Sequence, residues 1–289
     1  MKQLSIKNVL LFVCAGLSAA TMQAAEIQPD RELLYKTVGE VELKLHVFEP
    51  EGLQASDHRP AIVFFFGGGW KGGDPKQFYQ QARDMADLGI VAFSAEYRVK
   101  SRNQTTPFEC VKDGKSAIRW VRAHAAELGV DPDRIVASGG SAGGHVALCT
   151  GVIEGCEEDG EDLEVSSVPN LMIAYNPVLD TTDKGYGAKN FTPEQQTDLS
   201  PCHQVRAGIV PTLVMHGTAD KTVPFENAER FTKLMTDAGN ECVLVSFEGK
   251  GHGFFNGSFF RKKKGDDDYD LSLQDSIEFL TAHGFVDNK

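Results

Sequence analysis

The chain has 289 residues, of which 41% are hydrophobic and 24% are charged. This size and composition suffice for one α/β domain with a full hydrophobic core and argue against a disordered chain. Acidic side chains outnumber basic ones by 41 to 29, and the formal net charge is −12. Such a chain would be repelled by nucleic acid and by anionic lipid, so neither is expected as a partner.

The first 25 residues have the features of a secretory signal peptide. Lys2 and Lys7 precede an apolar run at residues 9–13, and small residues follow as far as Ala25. The apolar run is shorter than the roughly 20 residues that cross a bilayer, which disfavours a retained membrane anchor. We therefore expect an exported protein, periplasmic or extracellular, with a mature domain at residues 26–289 and no membrane partner after cleavage.

The mature part begins with two antiparallel strands and continues as alternating strands and helices. Residues 33–38 and 41–47 flank a Gly-Glu turn, and the second segment alternates apolar with polar side chains. The later segments are predicted from short apolar runs and from helical spacing. Strands are expected at 61–66, 90–94, from 135, 171–175, 211–216 and 242–247, and helices at 78–88, 108–128, 142–153, 225–238 and 271–283.

This alternation predicts an α/β fold with a mostly parallel, doubly wound sheet of about eight strands and helices on both faces. The acidic loop at residues 154–164 matches no EF-hand spacing, so a solvated loop is favoured over a calcium site. Five cysteines follow residue 25 without metal-type spacing; four of them could pair, or most could stay free. The pattern indicates neither a metal nor a cofactor.

Functional residues of parallel sheets lie at the carboxyl ends of strands, and four predicted strand ends carry reactive or glycine-rich segments. These are Phe66-Gly67-Gly68-Gly69-Trp70, Gly139-Gly140-Ser141-Ala142-Gly143, His216-Gly217-Thr218-Ala219-Asp220 and Gly251-His252-Gly253.

The second segment has the spacing of a nucleophile elbow, with Ser141 at its tip. Its flanking glycines are needed because a Cβ there would clash with strand or helix. A glycine-rich turn without catalytic function is the alternative. The order Ser, Asp, His is that of a hydrolase on this type of sheet, with His252 as base and Asp220 as its orienting acid. Glu248 is the alternative acid.

The amides of Gly68, Gly69 and Ala142 are the candidate oxyanion hole. Trp70 is expected to pack in the core or to line the acyl pocket. His145 and His216 are expected to be packed structural histidines rather than bases.

Together these segments resemble the hormone-sensitive-lipase-like group of bacterial esterases and lipases, which have the α/β-hydrolase fold. The resemblance covers roughly residues 60–256 and implies the catalytic triad and oxyanion hole named above. Two features depart from that group. Phe66 stands where the group usually has histidine, so an apolar contact must replace a hydrogen bond. The N-terminal cap is minimal, so any small lid would have to come from residues 180–211.

A lightly capped site in an exported protein predicts a serine carboxylesterase that acts on short acyl esters through an acyl-enzyme intermediate. Acetyl groups on plant or algal polysaccharide are candidate substrates. A secreted serine peptidase or a lipase of the same fold is an alternative, whereas a dienelactone-type hydrolase would more naturally carry Cys at position 141. A catalytically silent carbohydrate-binding module on a hydrolase scaffold is the alternative from another class, and an intact triad argues against it.

Overall fold

The computed structural model describes residues 26–261 and 267–287. The predicted signal peptide at residues 1–25 lies outside the described residues. Within them, no helix combines the length and the apolar character needed to cross a membrane.

The described residues form one eight-stranded sheet with the strand order β1-β2-β4-β3-β5-β6-β7-β8. Strands β1 and β2 pair antiparallel, as do β2 and β4, and the remaining neighbours are parallel. The predicted doubly wound sheet is therefore confirmed. The strands are β1 Arg31–Val38, β2 Val41–Phe48, β3 Arg59–Phe65, β4 Val91–Ala95, β5 Val130–Gly140, β6 Leu171–Tyr175, β7 Thr212–Gly217 and β8 Cys242–Phe247.

The helices connect the parallel strands, and in the described residues none precedes β3, in agreement with a minimal N-terminal cap. They are α1 Tyr79–Asp87, α2 Lys100–Asn103, α3 Pro107–Ala123, α4 Ala125–Leu128, α5 Ala142–Val152, α6 Pro201–Gln204, α7 Phe225–Asp237 and α8 Asp267–Ala282. Short 3₁₀ turns lie at Pro75–Phe78, Ala188–Asn190 and Pro193–Gln195.

The single helix predicted at residues 108–128 is divided in two. His124 leaves the helical conformation with φ −103° and ψ 13°. Its ring stacks on Trp120 with the ring centroids 4.0 Å apart. A capping box of Thr106 and Glu109 fixes the other end of α3.

Strand β3 is buried on both faces, which explains its continuous apolar sequence. Val63 and Phe65 belong to the hydrophobic cluster that includes α3 and α5, whereas Ile62 and Phe64 belong to the cluster beneath α1 and α8. All four side chains have no exposed surface. Close packing on both sides holds the end of β3, and the turn that follows it, in one position.

The acidic loop is only partly solvated. Residues 159, 160 and 162–164 are exposed as predicted, whereas Glu157 and Glu158 bind buried cationic side chains. Glu157 pairs with Lys115 at 2.7 Å, and Glu158 pairs with Lys36 at 2.8 Å. Arg119 also binds Glu157 at 2.7 Å. The three cationic side chains are less than a tenth exposed. A buried cation needs a partner, so these carboxylates hold the loop against α3 and β1.

The five cysteines of the described residues form no disulfide and are all free. Burial raises the pKa of each thiol, to about 11 for Cys202 and Cys242. The fold therefore depends on its hydrophobic core rather than on covalent cross-links. The other three thiols belong to Cys110, Cys149 and Cys156.

Candidate active site

Five neighbouring parallel strands end at the same edge of the sheet, and each of the five following loops contributes to one site. Gly67 follows β3 closely, Ser141 follows β5, Asn176 follows β6, Asp220 follows β7 and His252 follows β8. Strand β3 lies between β4 and β5, so the next strand in the chain is on one side of β3 and the strand after that is on the other. Such a switch in strand order is where open α/β sheets place their ligands.

Ser141 occupies a strained backbone conformation at the tip of the elbow, with φ 57° and ψ −120°. Its neighbours explain why glycine is required there. A Cβ at Gly143 would lie 2.0 Å from the carbonyl oxygen of Phe65, and one at Gly139 would lie 2.6 Å from that same oxygen. The two glycines thus let the elbow pass against β3, and the strain of a positive φ falls on the serine.

The structure brings the predicted triad residues within hydrogen-bond distance of one another. Ser141 Oγ lies 2.9 Å from His252 Nε2, and His252 Nδ1 lies 2.7 Å from Asp220 Oδ2. The Asp220 side chain is fully buried, while that of His252 is 21% exposed. Glu248, the alternative acid, is exposed to solvent. The geometry is that of a nucleophile, a base and an orienting carboxylate.

Asp220 is held as a carboxylate by its hydrogen bonds. Burial acts to raise the pKa of Asp220, but hydrogen bonds from His216, His252 and the N–H groups of Thr222 and Val223 outweigh it and hold the pKa well below its usual range. The two backbone bonds measure 2.8 Å and 3.1 Å. A permanently ionised Asp220 keeps the proton of His252 on Nδ1, which leaves Nε2 free to accept the proton of Ser141.

His216 is a structural histidine, in agreement with the sequence, and it also supports the triad. It is fully buried, and its Nε2 lies 3.1 Å from the Val223 carbonyl and 3.2 Å from Asp220 Oδ2. The imidazole therefore helps to orient the Asp220 carboxylate, through the same oxygen that contacts His252.

The glycine turn after β3 lines the same cleft as Ser141, with Gly68 and Gly69 in the lining. Gly68 has φ +138°, and a Cβ there would lie 2.1 Å from the carbonyl oxygen of Gly72. Ala142, the third predicted donor, is the first residue of α5. Its N–H is one of the first four of that helix, which have no partner within the helix.

Gln77 ties this turn to the loop that carries His252, and the sequence did not indicate this residue. Gln77 Oε1 accepts a 2.6 Å hydrogen bond from the Gly67 N–H, and Gln77 Nε2 donates a 2.8 Å bond to Asn256 Oδ1. The Asn256 amide in turn donates to the Gly253 carbonyl at 3.0 Å. Gln77 therefore fixes the relative position of the candidate oxyanion hole and the base.

Phe66 stands where the family usually has histidine, and it makes two contacts with Tyr97. Its ring stacks on Tyr97 with centroids 4.1 Å apart and an angle of 17° between the planes. The Tyr97 hydroxyl donates a hydrogen bond to the carbonyl oxygen of Phe66. The apolar contact expected from the sequence is present, and the tyrosine supplies the polar one.

Trp70 does not line the acyl pocket. It has φ +59° and is 2% exposed, and its indole N–H donates a 3.3 Å hydrogen bond to His145 Nδ1. His145 Nε2 donates to the Leu199 carbonyl at 2.7 Å, so this histidine is structural as expected. The turn directs the indole inward, and Tyr186, which packs on Trp70, lines the cleft. Tyr186 is the contribution of residues 180–211 to the site.

Asn176 is a second residue of the site that the sequence analysis missed. It is fully buried with φ +36°, and its Nδ2 lies 3.1 Å from His252 Nδ1 and 3.3 Å from His252 Nε2. It stands directly after the predicted strand at 171–175, so the strand-end criterion that identified Ser141 would also have found it. The amide limits the movement of the imidazole ring.

The site opens into a cleft of about 360 Å³. Among the described residues, no group of three His, Cys, Asp or Glu side chains could hold a metal ion. The triad and the neighbouring backbone amides form an arrangement suited to acyl transfer. Besides the residues above, Thr222, Gly253, Phe255, Phe260 and Arg261 line the cleft.

Comparison with known proteins agrees with this geometry. The BD-FAE family model matches residues 45–193, and the dienelactone hydrolase family model matches residues 169–283. The apo form of Thermogutta terrifontis esterase 2 superposes with a TM-score of 0.85 at 46% identity, over 92% of this chain and 98% of that one. The chain belongs to the esterase/lipase family of α/β-hydrolases. The paraoxon-phosphorylated form of the same esterase superposes on this α/β-hydrolase with a TM-score of 0.84 at 47% identity, over 90% and 96% of the two chains.

Curated relatives of this α/β-hydrolase are esterases as well. Esterase LipC of Mycobacterium tuberculosis is 28% identical over 215 residues, which are 68% of this chain and 53% of LipC. A probable isoprenylcysteine α-carbonyl methylesterase of Arabidopsis thaliana is 27% identical over 217 residues, 67% of this chain and 45% of the plant protein. The chain spans about half the length of these relatives. Carboxylesterase NlhH of M. tuberculosis is 25% identical over 264 residues, 80% of this chain and 78% of NlhH.

Proposed function

We propose that this α/β-hydrolase is a serine esterase that hydrolyses short-chain acyl esters through an acyl-enzyme intermediate. The observation that carries the proposal is the continuous contact from Ser141 Oγ through His252 to Asp220, at 2.9 Å and 2.7 Å. A serine hydroxyl is a poor nucleophile until a base takes its proton, and this chain of contacts supplies that base.

In the first half-reaction, Ser141 Oγ attacks the acyl carbon while His252 Nε2 accepts the hydroxyl proton. The negative charge that develops on the carbonyl oxygen is stabilised by the amides of Gly68, Gly69 and Ala142. The C–O bond to the alcohol then breaks, and the departing oxygen takes the proton from His252. In the second half-reaction, water attacks the acyl carbon with the same base, and Ser141 is released.

The size of the cleft supports short acyl groups. Its volume of about 360 Å³ is near the lower end of ordinary ligand pockets, about 300–1,000 Å³. Solved structures of the T. terrifontis esterase include propionate-bound and butyrate-bound forms. Acetate, propionate and butyrate esters are thus the substrates that we propose for this chain.

A bulky alcohol is compatible with the open cleft, since no helix of the described residues precedes β3 to form an N-terminal cap. Acetyl groups on polysaccharides are the natural esters that we propose, and the features of residues 1–25 support action outside the cytoplasm. Fractionation of cells that express the full chain or residues 26–289 tests export. We expect only the full chain outside the cytoplasm, and equal distribution of the two would refute export.

The substrate proposal is tested with p-nitrophenyl esters of two to twelve acyl carbons, acetylated xylan and a peptide p-nitroanilide. We expect the highest kcat/KM at two to four carbons, acetate release from xylan and no amide cleavage. Ser141→Ala should lower kcat by about 10⁴-fold or more. Ser138→Ala is the matched control, because Ser138 is buried in β5 three residues earlier and its hydroxyl has no hydrogen-bond partner among the described residues.

Other outcomes would identify the alternatives. A preference for the longest acyl chains would indicate a lipase, and cleavage of the anilide would indicate a peptidase. Failure to hydrolyse any ester would leave the silent carbohydrate-binding module as the interpretation. Activity that survives Ser141→Ala would overturn the mechanism.

A further inference from the structure

The active-site cleft has a charge opposite to that of the whole protein. Acidic residues outnumber basic ones by 41 to 29 in the chain, yet among the described residues that line the cleft there is no Asp or Glu side chain. Within the described residues, Arg261 is the one permanently charged side chain of the lining. The cleft therefore presents a positive charge to a ligand from an otherwise acidic protein.

Arg261 has no carboxylate partner among the residues that the structure describes. Its backbone N–H donates a 3.0 Å hydrogen bond to the Gly257 carbonyl, which fixes the start of the side chain. The guanidinium lies beside Gly253, where Nη1 is 2.7 Å from the position a Cβ would occupy. Arg261 is exposed and lines the cleft, so its guanidinium is placed to donate hydrogen bonds to an anion there.

The guanidinium of Arg261 lies on the side of the cleft where the alcohol part of an ester substrate would bind. In the proposed reaction, His252 donates a proton to the departing alcohol, so the alcohol lies beside the imidazole. Gly253 follows His252 in the chain, and the guanidinium packs at Gly253. In the same reaction, the carbonyl oxygen of the ester would lie at the glycine turn at Gly68. Arg261 is therefore on the alcohol side of the cleft.

An exposed aromatic ring accompanies this cation. Phe260 lines the same cleft and is 39% exposed, which is uncommon for a large apolar side chain in the described part of the molecule. An exposed apolar surface beside polar groups marks a ligand site. A guanidinium pairs with a carboxylate through two parallel hydrogen bonds, while an aromatic ring offers apolar surface to the C–H face of a sugar.

We propose that Phe260 and Arg261 form an alcohol-side subsite for a uronate, so that the natural substrate is an O-acetylated uronate sugar. This inference rests on the proposed esterase function. The net charge of the protein would repel a long polyanion, but repulsion from distant charges is largely screened beyond about 8 Å at physiological ionic strength. The net charge therefore does not prevent a uronate unit of a polysaccharide from binding at the subsite.

The test compares acetate release from two acetyl esters, 3-acetoxybenzoate and methyl 3-acetoxybenzoate, in which the carboxylate of the alcohol part is either free or methylated. The quantity measured is the ratio of their kcat/KM values, acid over methyl ester. Arg261→Gln should lower this ratio about 5- to 10-fold, and Arg261→Lys should lower it less because the charge is kept. The kcat/KM for the methyl ester is measured in every variant as the reference, because this substrate has no carboxylate to pair with the guanidinium of Arg261.

Arg31→Gln is the matched control for the loss of one positive charge. Arg31 lies on β1, its side chain is 43% exposed, and it pairs with Glu49 at 2.8 Å. This variant should leave the ratio unchanged. An equal fall in Arg31→Gln would mean that overall charge and not the subsite decides, and a ratio unaffected by Arg261→Gln would equally overturn the inference.

A second assay uses the sugar itself and measures acetate release from O-acetylated oligogalacturonate and from its methyl-esterified form. Wild type should favour the acidic oligomer relative to Arg261→Gln, and Phe260→Ala should lower the rate on both oligomers several-fold. Equal relative rates in wild type and Arg261→Gln would overturn the uronate assignment. Failure of the esterase proposal is distinguishable, because p-nitrophenyl acetate and methyl 3-acetoxybenzoate would then also remain intact.

Discussion

Replacement of Gln77 by leucine tests whether the candidate oxyanion hole is positioned by a side chain outside the triad. Gln77 is 7% exposed and bridges the Gly67 N–H and Asn256 Oδ1 with bonds of 2.6 Å and 2.8 Å. Leucine has a similar size but neither accepts nor donates. The variant therefore leaves one donor and one acceptor without their partner while it keeps the packing of the 3₁₀ turn.

The magnitude follows from these two lost bonds. Each buried group left unsatisfied costs about 1–3 kcal/mol, so the free energy of unfolding should fall by about 2–6 kcal/mol and Tm by about 5–20 °C. Removal of an oxyanion donor costs about 3 kcal/mol of transition-state stabilisation. A displaced turn should cost part of this, so kcat should fall about 10- to 100-fold, with KM within about threefold.

Gln81→Leu is the control for a general loss of stability. Gln81 is 2% exposed and donates a 3.1 Å bond to the Phe255 carbonyl, and its side chain makes no hydrogen bond to the described glycine turn. Steady-state kinetics with p-nitrophenyl acetate and thermal unfolding are measured for both variants. An unchanged kcat in Gln77→Leu would refute the positioning role, as would an equal loss of kcat in Gln81→Leu.

Four further predictions concern the neighbours of the triad and the core. Asn176→Leu should lower kcat about tenfold in the same assay with little change in KM, because the imidazole loses the amide that limits its movement; an unchanged kcat would contradict this. Asp220→Asn should lower kcat by about 10⁴-fold, because the amide no longer keeps the proton of His252 on Nδ1, and activity near that of wild type would refute the assignment of the acid. Burial lowers the pKa of His145 to about 4. In the unfolded chain the imidazole of His145 binds a proton near pH 6.5, whereas in the native state it stays neutral down to about pH 4. The free energy of unfolding should therefore fall by about 3 kcal/mol as the pH is lowered from 6.5 to about 4. Denaturant unfolding across this pH range should show a smaller loss of unfolding free energy in His145→Gln than in wild type. Equal pH dependence in the two proteins would contradict the lowered pKa of His145. Because the five described cysteines are free, dithiothreitol should leave Tm unchanged, and a marked fall would show that a disulfide exists.

The sequence predicted the parts of the site that local backbone geometry determines. The elbow at Ser141 could be identified because a close approach to β3 demands glycine on both sides, and this demand is visible in a few consecutive residues. Asp220 and His252 could be identified because parallel strands place their carboxyl ends together, so the positions of two strands suffice.

The remaining contacts depend on residues that are far apart in the chain. Gln77 and Asn256 are separated by 179 positions, and no local pattern indicates that they meet. The same holds for Lys115 and Glu157, 42 positions apart, whose pairing shields part of a loop that was expected to be solvated. For Trp70 the sequence left two alternatives open, packing in the core or lining the acyl pocket. Its left-handed backbone, which is rare for a side chain of its size, accompanies the buried indole of the first alternative.

The central claim, that Ser141 is a nucleophile activated by His252, is tested most directly by intact-mass measurement after incubation with paraoxon, followed by peptide mapping. We predict one diethylphosphoryl group per chain, located on Ser141, with much slower labelling in His252→Ala and none in Ser141→Ala. Labelling at another residue, or labelling of wild type and His252→Ala at the same rate, would contradict the account.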